Sequence, residues 1–167
     1  MDITIRPIRQ AEFDTVGELV VEVYLSDGLL SGGVDDPYAA VLREVAHRAE
    51  HAEVLVASDG ADGAVLGAVT FATHGSPYAD LAGPGEGEFR MLAVRPAGRG
   101  RGIGEALVRA CLARARALRL RRMVLSSHQH LLPAHRLYGR LGFARAAERD
   151  WDPVPGITLW AFARELV

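Results

Sequence analysis

Four glycines, at positions 98, 100, 102 and 104, alternate with other residues between an apolar run and a long amphipathic segment. The apolar run, Glu88 to Val94, is typical of a strand, and apolar residues recur at helical spacing from Ile103 onward. Glycines at this spacing let the backbone turn tightly, so that several N–H groups and the start of the helix face one anion. The pattern predicts a strand, a phosphate-binding loop and a helix in direct succession.

The residues after the loop extend this unit. The helix is predicted to reach Leu118, and the next strand spans Arg122 to Ser127. A strand, a helix and a second strand in this order favour a parallel pair within a mixed sheet. A further helix begins at Pro133 and ends at Gly142. Two last strands follow, residues 143–151 and 156–167, separated by a turn at Pro153 to Gly156.

The N-terminal half predicts two helices and three strands. Helical spacing runs from Phe13 to Ser26, and again from Pro37 to Glu50 or His51. The predicted strands are Ile3 to Ile8, Glu53 to Ser58 and Ala64 to Thr73. Residues 74–87 are rich in glycine and proline without an apolar period, which predicts a mobile loop. Because no linker or repeat divides the chain, we expect a single domain over residues 1–167.

The charge is unevenly distributed along the chain. Residues 1–88 hold 4 arginines and 16 acidic residues, whereas residues 89–167 hold 15 arginines and 5 acidic residues. Nine of these arginines lie between Arg95 and Arg122, opposed only by Glu105, which favours a small polyanion as ligand. The stretch has no interleaved aromatic residues, so we expect no nucleic-acid partner. For Arg114, Arg116 and Arg119, a solvated helix face is an equally good interpretation.

Two absences exclude whole classes of chemistry. The chain has no lysine, which excludes Schiff-base catalysis and a P-loop, and it has no asparagine, which excludes any site that depends on an asparagine. The one cysteine, Cys111, excludes an internal disulfide framework and falls on the buried stripe of its helix, which predicts a core position. No apolar run is long enough to span a membrane, and the N-terminus lacks a secretory pattern. We therefore expect a cytoplasmic protein without a membrane partner.

The glycine spacing excludes one class of phosphate-binding motif. A dinucleotide fingerprint would need a third glycine at 103, 105 or 107, and none of these is glycine. What remains is Arg99-x-x-Gly102-x-Gly104, followed after a strand by Ala134-His-Arg-Leu-Tyr-Gly-Arg-Leu-Gly-Phe143. In these two motifs the chain resembles the GNAT superfamily of acyl-CoA-dependent N-acetyltransferases, and the resemblance covers nearly the whole sequence.

The resemblance implies a fold and a cosubstrate. The fold is α/β (α+β), with a mixed and mostly antiparallel sheet of about seven strands, a central splayed parallel pair and about four helices. The cosubstrate is acetyl-CoA, without a metal. Its pyrophosphate would rest on Arg99, Gly100, Arg101, Gly102, Ile103 and Gly104, and its pantetheine arm would pair with the strand residues Leu92, Ala93 and Val94.

The resemblance also implies three catalytic groups. Tyr138 matches the tyrosine that protonates the leaving thiolate, although a tyrosine packed under the sheet is the structural alternative. Glu88 lies where several members place the carboxylate that deprotonates the amine, and here the alternative is a surface glutamate at a strand end. The N–H of Leu92 would stabilise the oxyanion. Strand alternation places Arg90 on the face of Glu88, where it could orient this carboxylate or contact the acceptor.

One position departs from the motif. Many members carry asparagine where this chain has Leu131, so one polar contact to the cosubstrate is missing. Ser127, His128 or His130 could supply it. His128 and His130 also suggest a metal site, but no third ligand is evident in the sequence, and we expect none.

The expected function is direct acetyl transfer to a primary amine of a small molecule or peptide. The acidic N-terminal half favours a cationic acceptor, because opposite charges attract. The family makes a homodimer through the C-terminal strands a reasonable expectation. Two other functions remain open, namely a non-catalytic acyl-CoA sensor of the same fold and a module that binds ATP or a dinucleotide.

Overall fold

The computed structural model describes residues 2–166. Their eight strands form one sheet in the order β1-β2-β3-β4-β5-β8-β6, with β7 paired to β8. The strands are β1 Ile3–Pro7, β2 Glu53–Asp59, β3 Val65–Thr73, β4 Glu86–Val94, β5 Arg122–His128, β6 Ala144–Arg145, β7 Trp151–Val154 and β8 Ile157–Glu165. The helices are α1 Phe13–Ser26, α2 Pro37–Arg43, α3 Val45–His51, α4 Ile103–Ala117 and α5 Leu132–Arg140. The predicted fold class is confirmed.

The described chain divides into two compact units. The first contains the residues up to Phe71 together with Met91–Ala110, and the second contains Ala72–Arg90 and the residues from Cys111 onward. Strand β4 and helix α4 each begin in one unit and end in the other. In the first unit, α1 buries Val16, Leu19 and Val20, whose spacing of three and four residues places them on one helix face.

The parallel pair is splayed, as expected. Strand β4 pairs with β5 only over Glu86–Arg122, Gly87–Met123 and Glu88–Val124. Farther along β4, Met91 has a φ of 57°, a left-handed conformation that is uncommon for any residue other than glycine. Such a residue interrupts the regular alternation of a strand.

Two element predictions were wrong. The long second helix is two helices, because Glu44 leaves the helical conformation with φ −78° and ψ 58°, and neither glycine nor proline marks this break. The predicted strand 143–151 is instead divided into the short strand β6, a 3₁₀ turn at Ala147–Arg149 and the first residue of β7. Strand β7 then continues to Val154, where the sequence predicted a turn. The predicted last strand corresponds to β8, and its terminal Val167 lies outside the described residues.

The segment between β3 and β4, predicted to be mobile, is bonded by arginines to the rest of the second unit. Arg149 donates to the backbone oxygen of Leu81 at 2.7 Å and to both carboxylate oxygens of Glu86. Arg122 also donates to Glu86, at 2.8 Å, and Arg121 donates to the backbone oxygen of Pro84. Since Glu86 is 2% exposed, these bonds compensate a buried charge and hold the segment against the sheet.

This cluster predicts acid sensitivity. Hydrogen bonds from Arg149, with further bonds from Gly83 and Arg122, lower the pKa of Glu86 from 4.5 to about 2. A lowered pKa in the folded state means that the carboxylate stabilises the fold above pH 4.5, by about 3 kcal/mol, and that this contribution is lost as the pH falls toward 2. Urea unfolding of wild type and Glu86→Gln across this range measures it. The difference should shrink as the pH falls, and a pH-independent difference would contradict the assignment.

Cys111 forms no disulfide and is fully buried, so its predicted core position is confirmed. No helix formed by residues 2–166 is long and apolar enough to cross a membrane.

Candidate active site

The glycine loop presents open backbone in front of a helix. Gly100 and Gly102 have φ values of 77° and 73°, and a Cβ at either position would meet no atom within 4 Å. Gly98 has a different role, because a Cβ there would lie 2.8 Å from Cδ1 of Ile103. The loop therefore needs glycine for its turns at 100 and 102, and for close packing at 98.

Helix α4 begins directly after these turns. The first helical hydrogen bond runs from Ala106 N to Gly102 O at 3.0 Å, and Ile103 is anchored in the core at 1% exposure. Helix geometry provides no acceptor for the N–H groups of the first turn, and their dipoles add a partial positive charge. The arrangement can hold a phosphate.

The two loop arginines differ in how firmly they are held. Arg99 is half exposed, and its guanidinium lies 3.8 Å from Asp27. Arg101 is more buried and lies 3.4 Å from Asp59. An exposed ion pair contributes little stability, so Arg99 can turn toward a bound anion at small cost.

The last residues of β4 have a defined hydrogen-bonding direction. Arg95 N donates to Leu66 O of β3 at 2.8 Å. Because N–H groups alternate along a strand, those of Leu92 and Val94 point to the edge away from β3. Ala93 is buried at 2% exposure, whereas the side chains of Leu92 and Val94 are half-buried.

Glu88 is a buried carboxylate and not a surface residue. It is 2% exposed, and its Oε1 accepts hydrogen bonds from Leu81 N at 2.8 Å and Ala82 N at 3.0 Å. Burial raises the pKa of Glu88 above its ordinary value, against the opposing effect of these two bonds. Oε2 accepts no hydrogen bond from residues 2–166. The carboxylate is thus held in place through Oε1, and Oε2 is available to accept a hydrogen bond or a proton from a ligand.

Arg90 contacts the same segment of chain as Glu88. Its guanidinium donates to Asp80 at 2.7 Å and to the backbone oxygen of Tyr78. Glu88 and Arg90 therefore share one face of β4, as strand alternation predicts.

Tyr138 lies in an aromatic cluster on α5. Its ring centroid is 5.7 Å from that of Phe89, 5.8 Å from Phe162 and 6.2 Å from Phe143. Burial raises the pKa of Tyr138 above its ordinary value. Its hydroxyl makes no hydrogen bond within residues 2–166, although the residue retains 6% exposure. Tyr138 is therefore packed in the core, as the structural alternative expected, and its hydroxyl is still available to donate a hydrogen bond.

The second unit brings Glu88 and Tyr138 to one short stretch of β4. Tyr138 packs against Phe89, the neighbour of Glu88, so the carboxylate and the phenol approach β4 from opposite faces. Leu92, Val94 and the loop residues 99–104 belong to the first unit.

His135, which contacts the predicted residue Ser127, escaped the sequence prediction. His135 Nε2 lies 3.1 Å from Ser127 Oγ and 3.1 Å from the backbone oxygen of His128. The available signal was the spacing of three residues between His135 and Tyr138, which places both on one face of α5. Within residues 2–166, no three His, Cys, Asp or Glu side chains are arranged to hold a metal ion.

Comparison with known proteins assigns the family. The model of the acetyltransferase (GNAT) family matches residues 21–143. An uncharacterized N-acetyltransferase of Schizosaccharomyces pombe is 34% identical over 143 residues, covering 84% of this chain and 82% of the relative.

Solved structures share the fold. A GNAT-family acetyltransferase of Staphylococcus aureus Mu50 superposes with a TM-score of 0.77 at 13% identity, covering 99% of this chain and all of that one. A phosphinothricin acetyltransferase of Sinorhizobium meliloti, solved in complex with AcCoA, has a TM-score of 0.72 at 23% identity, covering 99% and 89%. With most of its length matched by the family model, this chain belongs to the GNAT family of acetyltransferases.

Proposed function

We propose that this acetyltransferase moves the acetyl group of acetyl-CoA directly to a primary amine, without a covalent enzyme intermediate. The observation that carries the proposal is the open backbone at Gly100 and Gly102 before helix α4, in a chain that belongs to the GNAT family. A phosphate-bearing cosubstrate fits such a loop.

Cosubstrate binding is assigned to the loop and the end of β4. The backbone of Gly100 to Gly104 would hold the pyrophosphate, and Arg99 and Arg101 would contribute positive charge. The N–H groups of Leu92 and Val94 point away from β3, so that of Val94 is available to a carbonyl oxygen of an extended pantetheine arm, and that of Leu92 to the acetyl carbonyl. Ala93 lies between them and packs into the core.

The chemistry needs a group that accepts the proton of the amine, a hydrogen-bond donor to the oxyanion and a hydrogen-bond donor to the leaving sulfur. Glu88 Oε2, directly or through a water, takes the proton of the amine while nitrogen forms the new bond to the acetyl carbon. Leu92 N–H stabilises the oxyanion. The carbon–sulfur bond then breaks. Glu88 returns the proton of the amine to solvent, and the thiolate takes up a proton from solvent, so that an amide and free coenzyme A result.

Tyr138 donates a hydrogen bond to the leaving sulfur. Since burial raises the pKa of this phenol, it remains protonated throughout the neutral range. A thiolate, whose conjugate acid has a pKa of about 8.5, is the weaker base. Hydrogen bonding without complete proton transfer is therefore the favoured form of this contact.

The acceptor is proposed to be a cationic small molecule or peptide amine. The acidic excess of residues 1–88 supports this choice. The single domain, the homodimer and the cytoplasmic location stay predictions.

Release of free thiol from acetyl-CoA, measured against a panel of amines, tests the proposal. Polyamines, aminoglycosides and peptide amines should be acetylated, with anionic amino acids as the control class. Turnover with anionic acceptors alone would contradict the cationic acceptor. Binding of acetyl-CoA without thiol release for any amine would instead favour the sensor, for which the leucine at position 131 is the supporting observation.

A further inference from the structure

A histidine and a serine form a pair that the proposed chemistry does not use. Ser127 lies near the end of β5 at 6% exposure, and His135 lies in the second turn of α5. His135 Nε2 is 3.1 Å from Ser127 Oγ. The imidazole is fixed by ring contacts, stacked on Trp160 at 5.5 Å and packed against Phe162 at 4.9 Å.

The proton arrangement of this pair follows from its second contact. Nε2 also lies 3.1 Å from the backbone oxygen of His128, and a carbonyl oxygen can only accept. Nε2 therefore carries a hydrogen, which it shares between that carbonyl and Ser127 Oγ. The serine oxygen is then an acceptor toward the imidazole, and its own hydrogen points elsewhere. No acceptor among residues 2–166 receives that hydrogen.

The pair lies where the parallel strands have separated. Hydrogen bonding between β4 and β5 ends at Val124, three residues before Ser127, and open sheets bind ligands at the carboxyl ends of their parallel strands. On its other side, β5 remains paired with β8 as far as His128. His135 and Tyr138 share a face of α5, and both rings contact Phe162. The serine hydroxyl thus lies on the side of the sheet that carries the phenol.

We infer that Ser127, oriented by His135, donates a hydrogen bond to an amide carbonyl of the pantetheine arm of the cosubstrate. His135 is a positioning residue, since it fixes the serine oxygen and leaves the hydroxyl hydrogen for the ligand. The inference rests on the proposed function, because it needs acetyl-CoA as the ligand.

Calorimetric titration of purified variants tests it with two ligands. Acetyl-CoA contains the pantetheine arm, whereas 3′-phosphoadenosine 5′-diphosphate is the nucleotide half alone. Ser127→Ala should weaken acetyl-CoA binding about 5-fold, as expected for one neutral hydrogen bond, and leave nucleotide binding unchanged. Ser126→Ala is the matched control, because Ser126 instead accepts a hydrogen bond from Trp151 Nε1. It should bind both ligands like the wild type.

His135→Phe tests the positioning role while keeping a ring against Trp160 and Phe162. It should weaken acetyl-CoA binding to the same degree, and the double variant with Ser127→Ala should lose no more than either single variant. Unchanged acetyl-CoA affinity of Ser127→Ala would overturn the inference, as would equal weakening of both ligands. A wild-type protein that binds the nucleotide half and acetyl-CoA equally well would overturn it too. A wild-type protein that binds neither ligand would instead refute the proposed function.

Discussion

Replacing Glu88 with glutamine is expected to lower kcat/KM for the amine about 100- to 1000-fold, because a positioned base contributes this much to a proton transfer. The amide oxygen of glutamine can still accept from Leu81 N and Ala82 N, so thermal stability should change little. Burial raises the pKa of Glu88, and the ionised form is the active one. Wild-type kcat/KM should therefore rise with pH through that raised pKa, and Glu88→Gln should lose this dependence.

A neighbouring carboxylate provides the control for this experiment. Glu86→Gln makes the same chemical change two residues earlier on β4, at a group that bonds Arg149 and Arg122. Assayed well below its unfolding temperature, this variant should lose stability and keep its kcat/KM. If Glu88→Gln retained wild-type kcat/KM and its pH profile, Glu88 would only hold the segment at Leu81 and Ala82.

Replacing Tyr138 with phenylalanine is expected to lower kcat about 100-fold, at the lower end for a positioned proton donor, because the phenol only hydrogen bonds to the weakly basic thiolate. Its ring contacts with Phe89, Phe143 and Phe162 would persist in the variant. The hydroxyl has no partner within residues 2–166, so its removal should not lower the melting temperature. Steady-state kinetics with saturating acetyl-CoA, together with thermal unfolding, measure both effects.

The packed-tyrosine alternative makes a different prediction. A tyrosine that only fills space could lose its hydroxyl without any change in kcat. A wild-type kcat in Tyr138→Phe would therefore remove Tyr138 from the reaction, whereas a large drop in melting temperature would indicate a structural bond that the described residues do not contain.

Sequence reasoning predicted the elements whose signals are local. The run Glu88 to Val94, the glycines after it and the apolar stripe of α4 each have a short-range cause, and the structure has β4, the turns and α4 in that order. The break at Glu44 has no such signal, since neither glycine nor proline marks it, and both helices on either side of it pack against α1. The split between β6 and β7 likewise follows from pairing with β8.

The sequence identified the residues of the candidate site, but it could not predict the hydrogen bonds and backbone conformations around them. Motifs identified Glu88 and Tyr138, but the bonds from Leu81 and Ala82 to Glu88 join residues across a loop without periodicity. The left-handed conformation of Met91 was equally invisible, since nothing in a methionine favours it. His135 was missed because only the fold brings it to Ser127 and to the backbone oxygen of His128.

Calorimetric titration of acetyl-CoA into the wild-type protein, with ATP as the control ligand, tests whether the glycine loop and the end of β4 bind this cosubstrate. The loop at Gly100 to Gly104 and the amides of Leu92 and Val94 are assigned to that cosubstrate, so every catalytic assignment depends on its binding. We expect micromolar binding of acetyl-CoA and no response to ATP. Absence of acetyl-CoA binding, or equal binding of ATP, would contradict this expectation.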